Sequence, residues 1–296
     1  MVATTLGACD LGAFTVDTTT KVLVRAQPSL KMESDYDLAA RGLPGTLKTI
    51  EGFWTVNPNK ELTGILMEGF CQYGTGFVED EFEQAEAVKD FDGMEYQAAR
   101  ATKMYLRCAN YALMLLGKNW QDNIFGETDK VAALVKGANS GQRTQMMWLA
   151  LGIASAVNMN KDKVEMVAQL PTAKMILDRV VEFDTKSMPG DKMLAALPHL
   201  ALGMIASALP PAMGGDPPKA TGEFKKALEI TGDKFLLARV FMARKVGVMT
   251  QDRAMFHAEL MKVLATAPSI WPEQRLANEI AHRRARRYLK QEKELF

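Results

Sequence analysis

The chain has 296 residues, of which 48% are hydrophobic and 24% charged, and its formal net charge is +1. This composition excludes a disordered chain, and the near-zero charge supplies no general attraction to nucleic acid or to strongly acidic partners. No run reaches about 18 uninterrupted apolar residues, so no membrane-spanning helix is expected.

At the N-terminus, Leu6-Gly7-Ala8-Cys9 has the form of a lipobox, in which the cysteine is lipidated after cleavage. Only Met1 to Thr5 precede it, without the basic and long apolar regions of a full signal. Residues 1–15 are therefore read as a signal remnant and tether, and residues 16–296 as a single helical domain. Val22, Leu23 and Val24 mark an apolar helical phase that breaks near Pro28. Ser34 is the expected cap of the next helix. A further run, Leu43-Pro44-x2-Leu47-x2-Ile50, continues to Trp54 and stops at Asn57-Pro58, with Pro44 either in the first turn of that helix or kinking a longer one.

From Glu61 onwards Leu62, Ile65, Leu66, Gly69, Phe70, Tyr73 and Phe77 recur at helical spacing, followed by an acidic run, Glu79 to Glu86, read as a solvated face. A helix over about 95–116 ends at Gly117. Its stripe of Tyr105, Cys108, Ala109, Ala112 and Leu116 lies opposite Arg100, Lys103 and Arg107. Cys71 and Cys108 read as buried structural thiols. Export would permit them to pair, but both sit mid-helix and the sequence does not give their distance. After the loop Gly137-Ala138-Asn139-Ser140-Gly141 comes the Trp148 helix. Two further helices follow, with Pro171 at the start of the second.

Pro189-Gly190-Asp191 opens a helix to Leu209. It contains His199-x2-Leu202-Gly203-x2-Ala206, which echoes Trp148-x2-Leu151-Gly152-x2-Ser155. Both fit the first helix of a tetratricopeptide repeat, and Ala220-x3-Phe224-x2-Ala227 fits the second. Between them an oversized loop holds Gly214, Gly215 and Asp216 among four prolines. Helices over 234–248, 251–265 and from Trp271 to the end complete an all-α chain with no strand signal.

No catalytic constellation emerges. The three histidines are too scattered for a metal pair, and His199 reads as a packed, hydrogen-bonded residue. No phosphate loop or dinucleotide fingerprint occurs, so no cofactor and no metal are expected. The basic run His282-Arg283-Arg284-Ala285-Arg286-Arg287 lacks interleaved aromatics for base stacking and reads as a solvated face or as inter-helix ion pairs.

Several blocks together resemble the T component of TRAP-type transporters. They are Leu43-Pro44-x2-Leu47-Lys48-Thr49-Ile50-Glu51, Gly69-Phe70-x-Gln72-Tyr73-x3-Phe77, Trp148-x2-Leu151-Gly152, Ala208-Leu209-Pro210-Pro211-x2-Gly214-Gly215-Asp216-Pro217-x-Lys219-Ala220-x3-Phe224, and Asn278-x-Ile280-Ala281-x-Arg283-Arg284-Ala285-Arg286. The resemblance implies a non-enzymatic periplasmic lipoprotein of cryptic tetratricopeptide-like hairpins, anchored to a bacterial membrane only through lipid on Cys9. It also implies a homotrimer, an apolar channel for a small hydrophobic ligand, and partnership with the transporter's substrate-binding P component. Ser155 and Ala206 stand where the repeat usually has Tyr, and the space they leave suggests an axial cavity. Phe70, Tyr73, Phe77, Met147, Trp148 and Met204 are the candidate lining. Gly214, Gly215 and Asp216 are a candidate partner or subunit loop, or a structural elbow. The competing reading is a plain repeat scaffold that binds a protein or peptide in its concave groove.

Overall fold

The computed structural model describes residues 10–296, and every regular element among them is helical. Cys9, the expected lipidation site, lies outside the described residues. Helix α1 (Leu11–Lys31) begins inside the stretch read as a tether, with Asp10 accepting from the amides of Gly12 and Ala13. It continues through Pro28, which removes one donor without ending the helix. Helix α2 (Tyr36–Val56) is likewise one element with Pro44 in its interior, and Asp35, not Ser34, caps it. An aspartate at this position accepts two amide hydrogens and adds negative charge to the positive end of the helix.

Helix α3 (Lys60–Tyr73) passes through a π-helical turn, Gly74–Val78, into α4 (Glu79–Ala87). The long α5 (Phe91–Leu116) follows, then α6 (Lys118–Asn123) and α7 (Thr128–Lys136). Next come α8 (Arg143–Asn158), the short α9 (Val164–Val167), α10 (Leu170–Lys186) and α11 (Lys192–Ala206). After the proline-glycine loop come α12 (Pro217–Ile230) and α13 (Leu236–Phe241), which runs into a second π-helical turn, Met242–Gly247. Helices α14 (Arg253–Ala265), α15 (Arg275–Lys290) and α16 (Glu292–Leu295) finish the chain.

Neighbouring helices stack one on the next: α3 on α5, α5 on α8, α8 on α10, α10 on α11, and α11 on α12. The small residues of the repeat pattern sit where helices approach most closely. A Cβ on Gly203 would come within 3.0 Å of the Phe224 ring, and one on Gly152 within 2.9 Å of the Tyr105 carbonyl. At Gly203 the aromatic of the partner helix fills the space left by the glycine, and at Gly152 the backbone of α5 does.

Two expectations are corrected between α3, α5 and α15. Cys71 and Cys108 are not separate thiols. They form a disulfide that joins α3 to α5, with the Cα atoms 5.4 Å apart. The acidic run is not a solvated face either, because Asp80 and Glu79 are buried. The basic run of α15 supplies their counter-charges. Arg283 Nε donates to Asp80 at 2.8 Å and Arg287 Nη1 at 2.6 Å, while Arg287 also pairs with Glu83. Tyr36 Oη and Gln84 Nε2 complete the shell around Asp80 at 3.0 and 2.9 Å. Arg284, fully buried beside them, donates to the Thr75 carbonyl and lies over the Phe241 ring at 5.5 Å. Sequence positions two hundred residues apart are therefore clamped together, and α15 also touches α1 and α2. The stack of hairpins closes on itself, with its last long helix seated against its first.

Candidate functional site

Closure of the stack leaves space along its inside. In a π-helical turn an extra residue is accommodated, which rotates the following side chains relative to an α-helix. The two such turns face the same space: Thr75 comes from the first, and Phe241 stands immediately before the second.

Four cavities adjoin one another there. At one end, about 390 Å³ lies between α1, α2 and α3, lined by Leu23, Leu30, Lys31, Leu43, Leu47 and Gln72 among others. It shares Leu30, Lys31, Leu43 and Gln72 with a cavity of about 160 Å³ walled by Phe77, Trp148, Ser155, Leu197, Phe235 and Ile280. That space shares Thr75, Leu151, Ser155, Leu200 and Phe241 with a smaller one of about 70 Å³, enclosed by Ala154, Met204, Ile205 and Leu209. The last, about 220 Å³, shares Glu79, Asn158, Lys161, Met204 and Phe241 with its neighbour and adds Glu83, Glu86, Arg244 and Lys245. The middle of the series is apolar and the last cavity is charged.

Ser155 stands at both central cavities, where a repeat tyrosine would have filled the space. Ala206 lines none of the four, and its carbonyl instead accepts the Asp216 N–H at 2.7 Å. Of the six candidate lining residues, Phe77 and Trp148 border the 160 Å³ cavity, and Met204 borders the two beyond it. The other three are buried elsewhere. Phe70 stacks on Tyr111 with ring centroids 6.0 Å apart, under the Arg107 guanidinium at 5.0 Å. Tyr73 packs on Phe77 at 5.8 Å, and Met147 lies against Arg143. Buried Arg143 itself forms a two-pronged pair with Asp184, at 2.9 and 2.6 Å.

Spacing alone missed Thr75, Glu79, Leu200, Phe241, Lys161 and Lys245. The only sequence trace of the first π turn is Gly74-Thr75-Gly76, which breaks the helical apolar period.

Electrostatics sharpen towards the charged end. Burial raises the Glu79 pKa, against the opposing pull of Arg284 and of the Tyr105 hydroxyl, which donates at 2.6 Å. For Asp80 burial acts in the same direction, but the charges of Arg284 and Arg287 outweigh it and hold the pKa below its ordinary value. His199 Nδ1 lies 2.7 Å from Glu223, a buried hydrogen-bonded pair across the α11–α12 hairpin. In the loop, Gly214 adopts a positive φ of 98°, and a Cβ on Gly215 would lie 1.9 Å from the Leu209 carbonyl. Asp216 caps α12 by accepting from the Lys219 amide at 3.0 Å. All three residues thus have structural work in the elbow, while Pro211 to Gly214 remain exposed.

A family profile described as TRAP transporter T-component matches residues 32–296. The chain belongs to this family. An uncharacterized protein of Treponema pallidum (strain Nichols) is 23% identical over 259 residues, covering 86% of this chain and 78% of its own length. As a T component, the chain has an accessory role in a TRAP transport system, and the family is not an enzyme family. No described helix is long and apolar enough to cross a membrane.

Proposed function

We propose that this T component binds the periplasmic substrate-binding P component of its transporter and passes it a small apolar ligand through the inside of the protomer. The observation that carries this reading is the series of four adjoining cavities, apolar in the middle and flanked at each end by charged residues. An apolar lining inside the fold suits a ligand that must be kept from water. A scaffold for peptides would instead present an open polar groove.

The disulfide between Cys71 and Cys108 supports an oxidising compartment such as the periplasm. Lipid on Cys9 would tether the chain there without a spanning helix. Leu11, Phe14 and Val22 are exposed on α1, and Phe91, Tyr96 and Leu106 on α5. These apolar faces support self-association, which we read as a homotrimer. The exposed tip of the Gly214 loop is available to a partner or a neighbouring subunit.

Titration of the purified chain with its cognate P component tests the partnership. A saturable complex is expected, and none at concentrations on the order of 100 μM would contradict it. Native mass spectrometry of protein extracted from membranes would report three subunits, lipidated Cys9 and a co-purifying small molecule; a bare unlipidated monomer would count against the assembly.

A further inference from the structure

The cavity at the charged end is lined by three glutamates and three cations, and arginines from outside the lining already engage two of the glutamates. Glu79 accepts from Tyr105 and faces Arg284 at 3.9 Å. Glu83 pairs with Arg287, and Glu86 accepts from Arg244 at 3.2 Å. Each carboxyl group is thus engaged. Lys161, in the loop after α8, and Lys245, in the second π turn, also border this cavity. Among the described residues neither ammonium has a hydrogen-bond or ion-pair partner.

Two ammonium groups without a hydrogen-bonded carboxylate at one cavity favour an added anion that can bond to both. The titration behaviour fits this. Loss of water pulls Lys245 down, and the carboxylates of Glu79 and Glu83 oppose it only in part while Arg244 adds repulsion. Lys161 is exposed by area, yet loss of water and then the like charge of Lys245 push it down to about 8. Directly beyond them the wall becomes apolar, with Met204, Ala154, Ile205 and Leu209.

We propose that Lys161 and Lys245 form the head-group site for an amphipathic anion, a carboxylate or phosphate carried on an apolar chain that lies along Met204 and Ser155. This rests on the reading of the cavities as a ligand passage. The site gives the passage a polarity: the charged end of the ligand stops at the two lysines while its tail fills the apolar interior. Charge-assisted hydrogen bonds to a partly enclosed ammonium are about twice as strong as neutral ones, so the head group contributes measurable selectivity.

The test uses the full chain at pH 7 with dodecanoate, dodecyl phosphate and dodecanol displacing the neutral fluorescent probe N-phenyl-1-naphthylamine. Either anion is expected to bind about tenfold or more tightly than dodecanol, and the ratio of the two anions tells carboxylate from phosphate. Lys245→Met and, independently, Lys161→Met should remove that preference while leaving dodecanol affinity and melting temperature unchanged. Lys161 lies in a loop, so its variant does not depend on tolerance within the π turn. Equal affinity for anion and alcohol in the parent protein, or a preference that survives in both variants, overturns the head-group site alone. Binding of no chain and no probe overturns the passage reading and the site with it.

Discussion

Replacing Asp80 with Asn removes the charge around which the stack closes. Asp80 is fully buried and receives Arg283, Arg287, Tyr36 and Gln84 within 3.0 Å, with Arg284 at 3.9 Å. The variant would leave three guanidinium groups facing a neutral amide, and breaking one side of a buried ion network costs about 3–5 kcal/mol. Unfolding entropy of about 2.1 cal/mol/K per residue gives roughly 0.6 kcal/mol/K for a chain of this length. Asp80→Asn should therefore melt about 5–8 °C below the parent by circular dichroism. Hydrogen exchange should rise in α4 and α15 before it rises in α8 or α10, because those two helices form the closure. A variant that melts within about 1 °C of the parent, with no exchange change in α15, would refute the clamp.

Acid provides an internal control for the same substitution. The folded-state pKa of Asp80 lies below its ordinary 3.8, so its contribution is fully present above that value and is lost as pH falls through the folded pKa. The gap between parent and Asp80→Asn should shrink on acidification below about pH 3.8; a gap that widens would contradict the assignment. Reducing the Cys71–Cys108 disulfide, whose sequence separation is 37, removes about 4 kcal/mol by loop-closure entropy. The melting temperature should drop by about 6 °C with dithiothreitol, and no change would argue that the bridge is absent in solution. Gly152→Ala should destabilise by about 1–3 kcal/mol because its Cβ meets the backbone of α5. Gly64→Ala has nothing within 4 Å and should stabilise α3 by up to about 1 kcal/mol; equal effects in urea unfolding would contradict the packing.

The helical class was legible because apolar spacing in α3, α5 and α8 is strong and no strand pattern competes. The Gly203–Phe224 contact was legible too, since a small residue opposite an aromatic has few packing solutions. Pro28 misled one helix boundary, whereas Pro44 lies inside the longer of the two helices its position allowed: each removes one donor, and the surrounding turns hold without it. The acidic and basic runs were individually visible, yet their pairing joins α4 to α15 across the whole fold, and no local period reports that distance. The same limit applied to Cys71 and Cys108. Ser155 marked missing bulk at a repeat position and does stand at both central cavities. Phe70 and Met147 share helices with such residues but point into other contacts, because a helix face is set by its neighbours as well as by its period. Lys161 and Lys245 carry no motif and acquire meaning only from the counter-charges that their neighbours use elsewhere.

Whether the adjoining cavities carry an apolar molecule comes down to Ser155. With the parent protein, N-phenyl-1-naphthylamine should show saturable fluorescence enhancement as it enters the space beside this residue. Ser155→Trp fills both central cavities at once, and the enhancement should disappear while the melting temperature and the disulfide stay as in the parent. Undiminished, saturable probe binding by a folded Ser155→Trp protein would contradict an internal route for the ligand.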